Sequence, residues 1–167
     1  MGSFICSYSD QYCFRILSYA LAGTLPKTGQ EGEAQRLLQD DKNNYEHQIV
    51  VEEIRRKMQT ITPQVQVGST EILELKNLYH LKTEIIAEDS NLSLDKWAEL
   101  LHPTPAMGGK PQDLALQIIE QFEGYDRGLY AAPIGYTDAQ GEGLFVVGIR
   151  SVLMVGNKLY AYAGCGI

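Results

Sequence analysis

The chain is short of positive charge, of cysteine and of long apolar runs, and each shortage removes a class of function. Fourteen Lys and Arg stand against twenty-one Asp and Glu, a net charge of −7 over 167 residues, so no broad positive field exists to draw in nucleic acid or anionic lipid. A local cationic pocket stays open. Cys6, Cys13 and Cys165 are odd in number, and their spacing fits no zinc or redox pattern; they read as free thiols. A nucleophilic thiolate needs a base beside it, and nothing in the sequence sets His47, His80 or His102 next to one. No apolar stretch approaches the ~20 residues that cross a bilayer, and residues 1–14 lack the basic start and sustained apolar run of a signal peptide. A soluble, cytoplasmic protein is expected. With 44% hydrophobic and 21% charged residues, the chain has material for one folded core.

Periodicity assigns the elements. Tyr45, Ile49, Val50, Ile54 and Met58 recur at helical spacing, with Asp40 and Asp41 at the start and Arg55, Arg56 and Lys57 at the end, which predicts a helix over 40–58. A shorter one is expected over 31–38. Beyond Pro63 the period changes, and 65–67 and 71–86 read as strands. Ser93 is a plausible N-cap for a helix through Trp97 to Leu101, stopped by Pro103 and Pro105. Another helix follows Pro111, with Ala115, Ile118, Ile119 and Phe122 as its stripe and Gly124 as terminator. The runs 128–136, 144–155 and 158–163 then predict an antiparallel meander with a tight Gly156-Asn157 turn. Interspersed helices and antiparallel strands point to an α+β fold, antiparallel sheet layers with packed helices. The last strand runs straight into Ala-Gly-Cys-Gly-Ile, an open sheet edge to which a partner chain can add.

Several residues carry chemical potential. Glu46 has Val50 and Glu53 one and two turns on, which sets its carboxylate at the border of the apolar stripe; a lysine-paired rim glutamate and a metal ligand are both open readings. Arg150 ends the apolar run Leu144 to Ile149, where a guanidinium requires an anion, either an internal carboxylate or a ligand. Gly164 and Gly166 flank Cys165 after a strand, so backbone N–H groups there can approach an anion or simply form a turn. His80 points to core or to cleft from a strand, and Tyr130 packs or binds.

In combination, His-Pro-Thr-Pro-Ala-Met-Gly-Gly at 102–109, Tyr-Asp-Arg-Gly-Leu-Tyr-Ala-Ala-Pro-Ile-Gly-Tyr at 125–136, Gly-Ile-Arg-Ser at 148–151 and Tyr-Ala-Gly-Cys-Gly-Ile at 162–167 resemble the chorismate-utilising enzymes, and within them the isochorismate synthases. Ala-Leu-Ala-Gly-Thr at 20–24, Asp-Lys-Asn-Asn-Tyr-Glu-His-Gln at 41–48 and Tyr-His-Leu-Lys-Thr at 79–83 fit the same family in the same order. The resemblance implies an incomplete chorismate-binding domain over 1–167, lacking the family's upstream region and final segment. It implies Mg²⁺ on Glu46 holding the ring carboxylate of chorismate, Arg150 and Tyr130 on the enolpyruvyl carboxylate, backbone amides at Gly164 and Gly166 on carboxylate oxygens, and His80 along the ring pocket.

Ala106 replaces the threonine typical of anthranilate synthases, and Ala22 the nucleophilic lysine of aminodeoxychorismate synthases. Water addition at ring carbon 2 with loss of the 4-hydroxyl is therefore the implied reaction, serving menaquinone or siderophore synthesis. The family's general acid finds its best counterpart in Asp10, within Tyr8-Ser9-Asp10. The general-base lysine and the second Mg²⁺ glutamate have no counterpart. The alternative is a non-catalytic fragment that binds a carboxylate ligand or a partner chain.

Overall fold

Strand β1 (Phe4–Asp10) and strand β2 (Cys13–Pro26) open the chain as an antiparallel hairpin. The computed structural model describes residues 4–10, 13–88 and 91–164, with side chains from residue 15 onward. Helices α1 (Glu33–Leu38) and α2 (Asp41–Gln59) follow, then β3 (Val65–Val67), β4 (Glu71–Glu74) and β5 (Leu78–Glu88). After them come α3 (Leu94–Leu101), the single turn α4 (Pro105–Gly108), α5 (Gln112–Phe122), and strands β6 (Pro133–Thr137), β7 (Gly143–Val147), β8 (Val152–Val155) and β9 (Lys158–Ala161). One sheet runs β3-β5-β2-β1-β7-β6, with β4 also pairing β5, and every pairing in it is antiparallel. The expected α+β architecture is thus the one observed.

Helix α2 starts because Asp40 accepts the Asn43 N–H at its N-cap. It turns His47, Val50, Val51, Ile54 and Met58 onto the sheet. Ile16 and Ala20 of β2, Ile85 and Ala87 of β5, and Trp97 of α3 meet this face with no exposed surface. Burying each large apolar side chain stabilises the fold by roughly 1.5–3 kcal/mol. Tyr45, expected in the stripe, is 70% exposed, and fully buried His47 takes the inward position nearest the N-terminus instead.

The long central strand β2 escaped the sequence reading for a definable reason. Its core-facing positions include Ser18 and Ala20, while Leu17, Tyr19 and Leu21 lie between them, so the polar-apolar alternation that announces a half-buried strand is scrambled. The C-terminal meander is also corrected. Gly128 to Ala131 form a turn and the strand begins only at Pro133; the 144–155 run breaks after Val147; and β8 and β9 leave the main sheet to pair as a separate hairpin. Helix α5 forms where expected, but none of its residues is buried, and Phe122 is 77% exposed.

Candidate functional site

The site is organised by an irregularity in the central strand pair. β2 and β5 hold one register from Arg15↔Glu88 to Ala22↔Leu81 and then shift, so that Thr24 comes opposite His80. The inserted residue is Gly23, at φ 75. A Cβ on it would stand 3.0 Å from Leu81 Cδ1 and 3.2 Å from the Asn43 carbonyl oxygen. Glycine is required here both by the left-handed backbone and by the close passage of α2. Asn43 Oδ1 then accepts the Thr24 N–H at 3.0 Å, which ties the bulge to the first turn of α2.

His80, 2% exposed, is held at both ends of its ring. Nδ1 lies 2.9 Å from Thr24 Oγ1 and 3.3 Å from the Gly23 carbonyl oxygen, and Nε2 lies 3.1 Å from Arg150 Nη1. Burial pushes its pKa below the usual imidazole value; the Gly23 carbonyl opposes this and the Arg150 charge adds to it. A neutral ring results at pH 7.

Arg150 lies in the kink between β7 and β8, with φ 54. A side chain other than glycine in that region costs roughly 1–2 kcal/mol, and such strain concentrates at functional positions. The guanidinium, expected to meet an acid, meets His80 and makes no ion pair among the described residues. The turn that carries Tyr130 is docked on Gly148 by backbone pairing: Ala131 N–H donates to Gly148 O and Gly148 N–H to Ala132 O, both at 2.9 Å. A Cβ on Gly148 would stand 2.4 Å from the Leu129 carbonyl oxygen, so only glycine allows the turn to dock there. The Tyr130 ring stacks on Tyr162 at 5.0 Å and 12°. Gly164 passes so close that its Cβ would stand 2.8 Å from the Tyr130 hydroxyl. A shallow cavity bordered by Tyr130, Gly148, Ser151 and Tyr162 opens beside these groups. Arg150 and His80 are thus brought together as one pair, and Tyr130 and Gly164 as another.

Other expected residues stand apart. Glu46 is on the exposed face of α2 and not at the border of the apolar stripe, with its carboxylate 3.8 Å from Lys42 Nζ; no hydrogen bond or ion pair joins it to His80 or Arg150 among the described residues. Those residues also contain no group of three or more His, Cys, Asp and Glu side chains able to hold a metal. Mg²⁺ commonly takes one or two carboxylates and completes its shell with substrate oxygens and water. Glu46 fits that open arrangement as a single anchor, because Lys42 is 85% exposed in its side chain and free to swing away. Ala106 sits exposed on α4, above buried Thr104, whose Oγ1 has no partner among the described residues. The Gly108-Gly109 pair proves to be a packing device, since a Cβ on Gly109 would stand 2.7 Å from that of Ala115. Gly166 and Cys165 lie outside the described residues, as do the thiols of Cys6 and Cys13.

Asp10, the expected general acid, is described by its backbone alone. It pairs with Cys13 at the hairpin end of β2, while His80 pairs with Thr24 near the other end. At about 3.3 Å per residue the two ends of β2 are roughly 35 Å apart along the strand; the Asp10 side chain lies outside the described residues. Thr24, Asn43 and His47 were not singled out by sequence reasoning. The glycine preceding Thr24 was the available signal, because a glycine inside a strand marks a bulge or a close approach.

The family description "Chorismate binding enzyme" matches residues 12–167, a span that excludes Asp10. The chain is 40% identical over 157 residues to the salicylate biosynthesis isochorismate synthase of Pseudomonas aeruginosa, covering 90% of this chain and 33% of the relative. It is 39% identical over 158 residues to the isochorismate synthase MenF of Bacillus subtilis, covering 91% and 34%. The solved structure of the menaquinone-specific isochorismate synthase MenF of Escherichia coli superposes with a TM-score of 0.78 at 30% identity, covering 90% of this chain and 37% of that one. The chain therefore spans about a third of the length of the curated relatives it matches. No described helix is long and apolar enough to cross a membrane.

Proposed function

Because the chain belongs to the chorismate-binding enzyme family, we propose that it serves the conversion of chorismate to isochorismate, in which water adds at ring carbon 2 and the 4-hydroxyl leaves. The observation that carries this reading is the meeting of Arg150 and His80 at 3.1 Å, an uncharged imidazole being the side-chain partner of this guanidinium among the described residues. An arginine without a carboxylate partner among the described residues suits an incoming one, for which its planar fork offers paired donors.

In this reading Arg150 and the Tyr130 hydroxyl hold the enolpyruvyl carboxylate, and the Gly164 backbone approaches carboxylate oxygens beside Tyr130. His80 borders the ring. Glu46 would hold Mg²⁺, which when bound supplies positive charge opposite the ring carboxylate. Menaquinone and siderophore synthesis both consume the product and are the proposed settings.

Calorimetric titration of the 167-residue chain with chorismate, with and without Mg²⁺, tests the reading. Binding that Arg150→Ala abolishes and Glu46→Ala makes indifferent to Mg²⁺ is the expected result. Absence of binding by a folded wild-type chain under both conditions would overturn it. A second reading, ligand binding without turnover, is favoured by the remoteness of Asp10 from His80. A product assay on the same samples separates the two.

A further inference from the structure

We propose that Thr24 is a positioning residue: together with the Gly23 carbonyl it fixes His80 as the Nδ1–H tautomer, leaving Nε2 as a lone pair that a ring hydroxyl of the substrate can address. The proposal deepens the chorismate reading, and its ligand half rests on it.

Two independent contacts identify the tautomer. A guanidinium carries only donors, so His80 Nε2, 3.1 Å from Arg150 Nη1, must accept. A carbonyl oxygen only accepts, so the Gly23 oxygen 3.3 Å from Nδ1 requires the proton on Nδ1. Thr24 Oγ1 is the nearer partner of that nitrogen, at 2.9 Å. Thr24 is itself fixed, since its N–H is held by Asn43 Oδ1 at 3.0 Å and its backbone by the bulge. The opposite tautomer would aim an N–H at Arg150 and leave the Gly23 carbonyl without its imidazole donor.

The fixed tautomer has a use when a ligand arrives. A carboxylate at Arg150 takes over donors now directed at His80. Nε2, buried and deprived of its donor, then accepts best from a hydroxyl placed beside the carboxylate. An analogue without that hydroxyl leaves the lone pair unmet, so Thr24 contributes to selection without touching the ligand.

The chain has only three histidines, so the imidazole nitrogens of the ¹⁵N-labelled full chain can be assigned by NMR, those of His80 by their loss in His80→Gln. At pH 7.5 the wild type is expected to show protonated Nδ1 and bare Nε2 at His80. Thr24→Val removes the nearer partner of Nδ1 and should shift the Nδ1 resonance and admit a minor Nε2–H form, the Gly23 carbonyl and Arg150 still favouring Nδ1–H; Thr24→Ser should restore the wild-type signals. A wild-type Nε2–H tautomer or imidazolium overturns the proposal and needs no variant to fold. So does a folded Thr24→Val chain whose His80 Nδ1 and Nε2 resonances both stay at their wild-type positions. Added chorismate should shift the Nε2 resonance. In a sample that calorimetry shows to have bound chorismate, an unmoved Nε2 resonance overturns the ligand half alone; absence of binding overturns the chorismate reading; and the resonances without ligand decide the role of Thr24.

Discussion

His47 Nε2 stands 2.7 Å from Thr83 Oγ1, a polar clasp in the core between α2 and β5 that excludes solvent from both residues. Thr83 Oγ1 also lies 2.9 Å from Thr70 Oγ1, which extends the clasp to the loop before β4. Removing one member leaves a cavity and a less satisfied neighbour. His47→Ala should therefore cost about 2–4 kcal/mol and Thr83→Val about 1–2 kcal/mol. Urea denaturation of the two single variants and the double variant measures this. A coupling energy near zero would show that the clasp is incidental to stability.

Gly23 and Gly156 both adopt positive φ, 75 and 60, but only Gly23 is crowded by its surroundings. Alanine at Gly156 meets nothing within 4 Å, while at Gly23 it meets Leu81 and the Asn43 carbonyl. Gly156→Ala should cost about 1 kcal/mol through backbone strain. Gly23→Ala should cost more, because strain and overpacking add, and it should also displace Thr24 from His80. Thermal melts of the pair, with the His80 ring resonances as reporter, provide the check; equal melting points for the two variants contradict the crowding argument.

Acid should weaken the fold through its histidines. Burial first lowers the pKa of His80, reinforced by Arg150 against the Gly23 carbonyl, and burial first, then Lys57, lowers that of His102. Below about pH 6.5 the unfolded chain binds protons that the folded chain refuses. The stability these groups contribute is thus complete above the unfolded value and is lost as pH falls below it toward the folded values. The slope is at most about 1.4 kcal/mol per pH unit for each group. Glu33 acts in a lower window: the Thr28 hydroxyl and N–H hold its carboxyl below the ordinary value, so its contribution persists above the normal carboxylate range and fades only under stronger acid. Denaturation at pH 7.5, 6.5 and 5.5 should show the decline, and His80→Gln should flatten part of it. A flat profile over this interval would refute the assignment.

The sequence made some parts of this structure legible and concealed others for physical reasons. Helix α2 could be read because its apolar period, acidic start and basic end agree. Arg150 could be singled out because a guanidinium after an apolar run needs a partner, yet the sequence could not say that the partner would be His80, which is 70 residues away and reaches it from another strand. The β2 strand hid its core face behind Ser18 and Ala20. The kink at 148–151 was read as continuous strand because β-favouring residues flank it on both sides, and the φ of Arg150 is set by tertiary contacts. Glu46 illustrates a further limit: helical spacing fixes an angular position only to within a neighbouring residue, and with His47 turned inward in place of Tyr45 the Glu46 side chain moves from the border of the stripe to the exposed face.

Gly164 offers a test of the site that leaves the core untouched. It is exposed, yet a Cβ there would stand 2.8 Å from the Tyr130 hydroxyl, closer than van der Waals contact allows. Gly164→Ala must push Tyr130 or the backbone aside, and Tyr130 is braced against Tyr162 by ring stacking. If Tyr130 holds a substrate carboxylate as proposed, misplacing its hydroxyl should weaken chorismate binding about tenfold, the loss of one ordinary hydrogen bond of about 1.4 kcal/mol. The melting temperature should stay within about 2 °C of wild type, since exposed substitutions rarely exceed 0.5 kcal/mol. Tyr130→Phe should weaken binding to a similar extent, and the double variant should add little to either, because both remove the same contact. Additive losses in titrations of the three variants would place Gly164 and Tyr130 in separate roles.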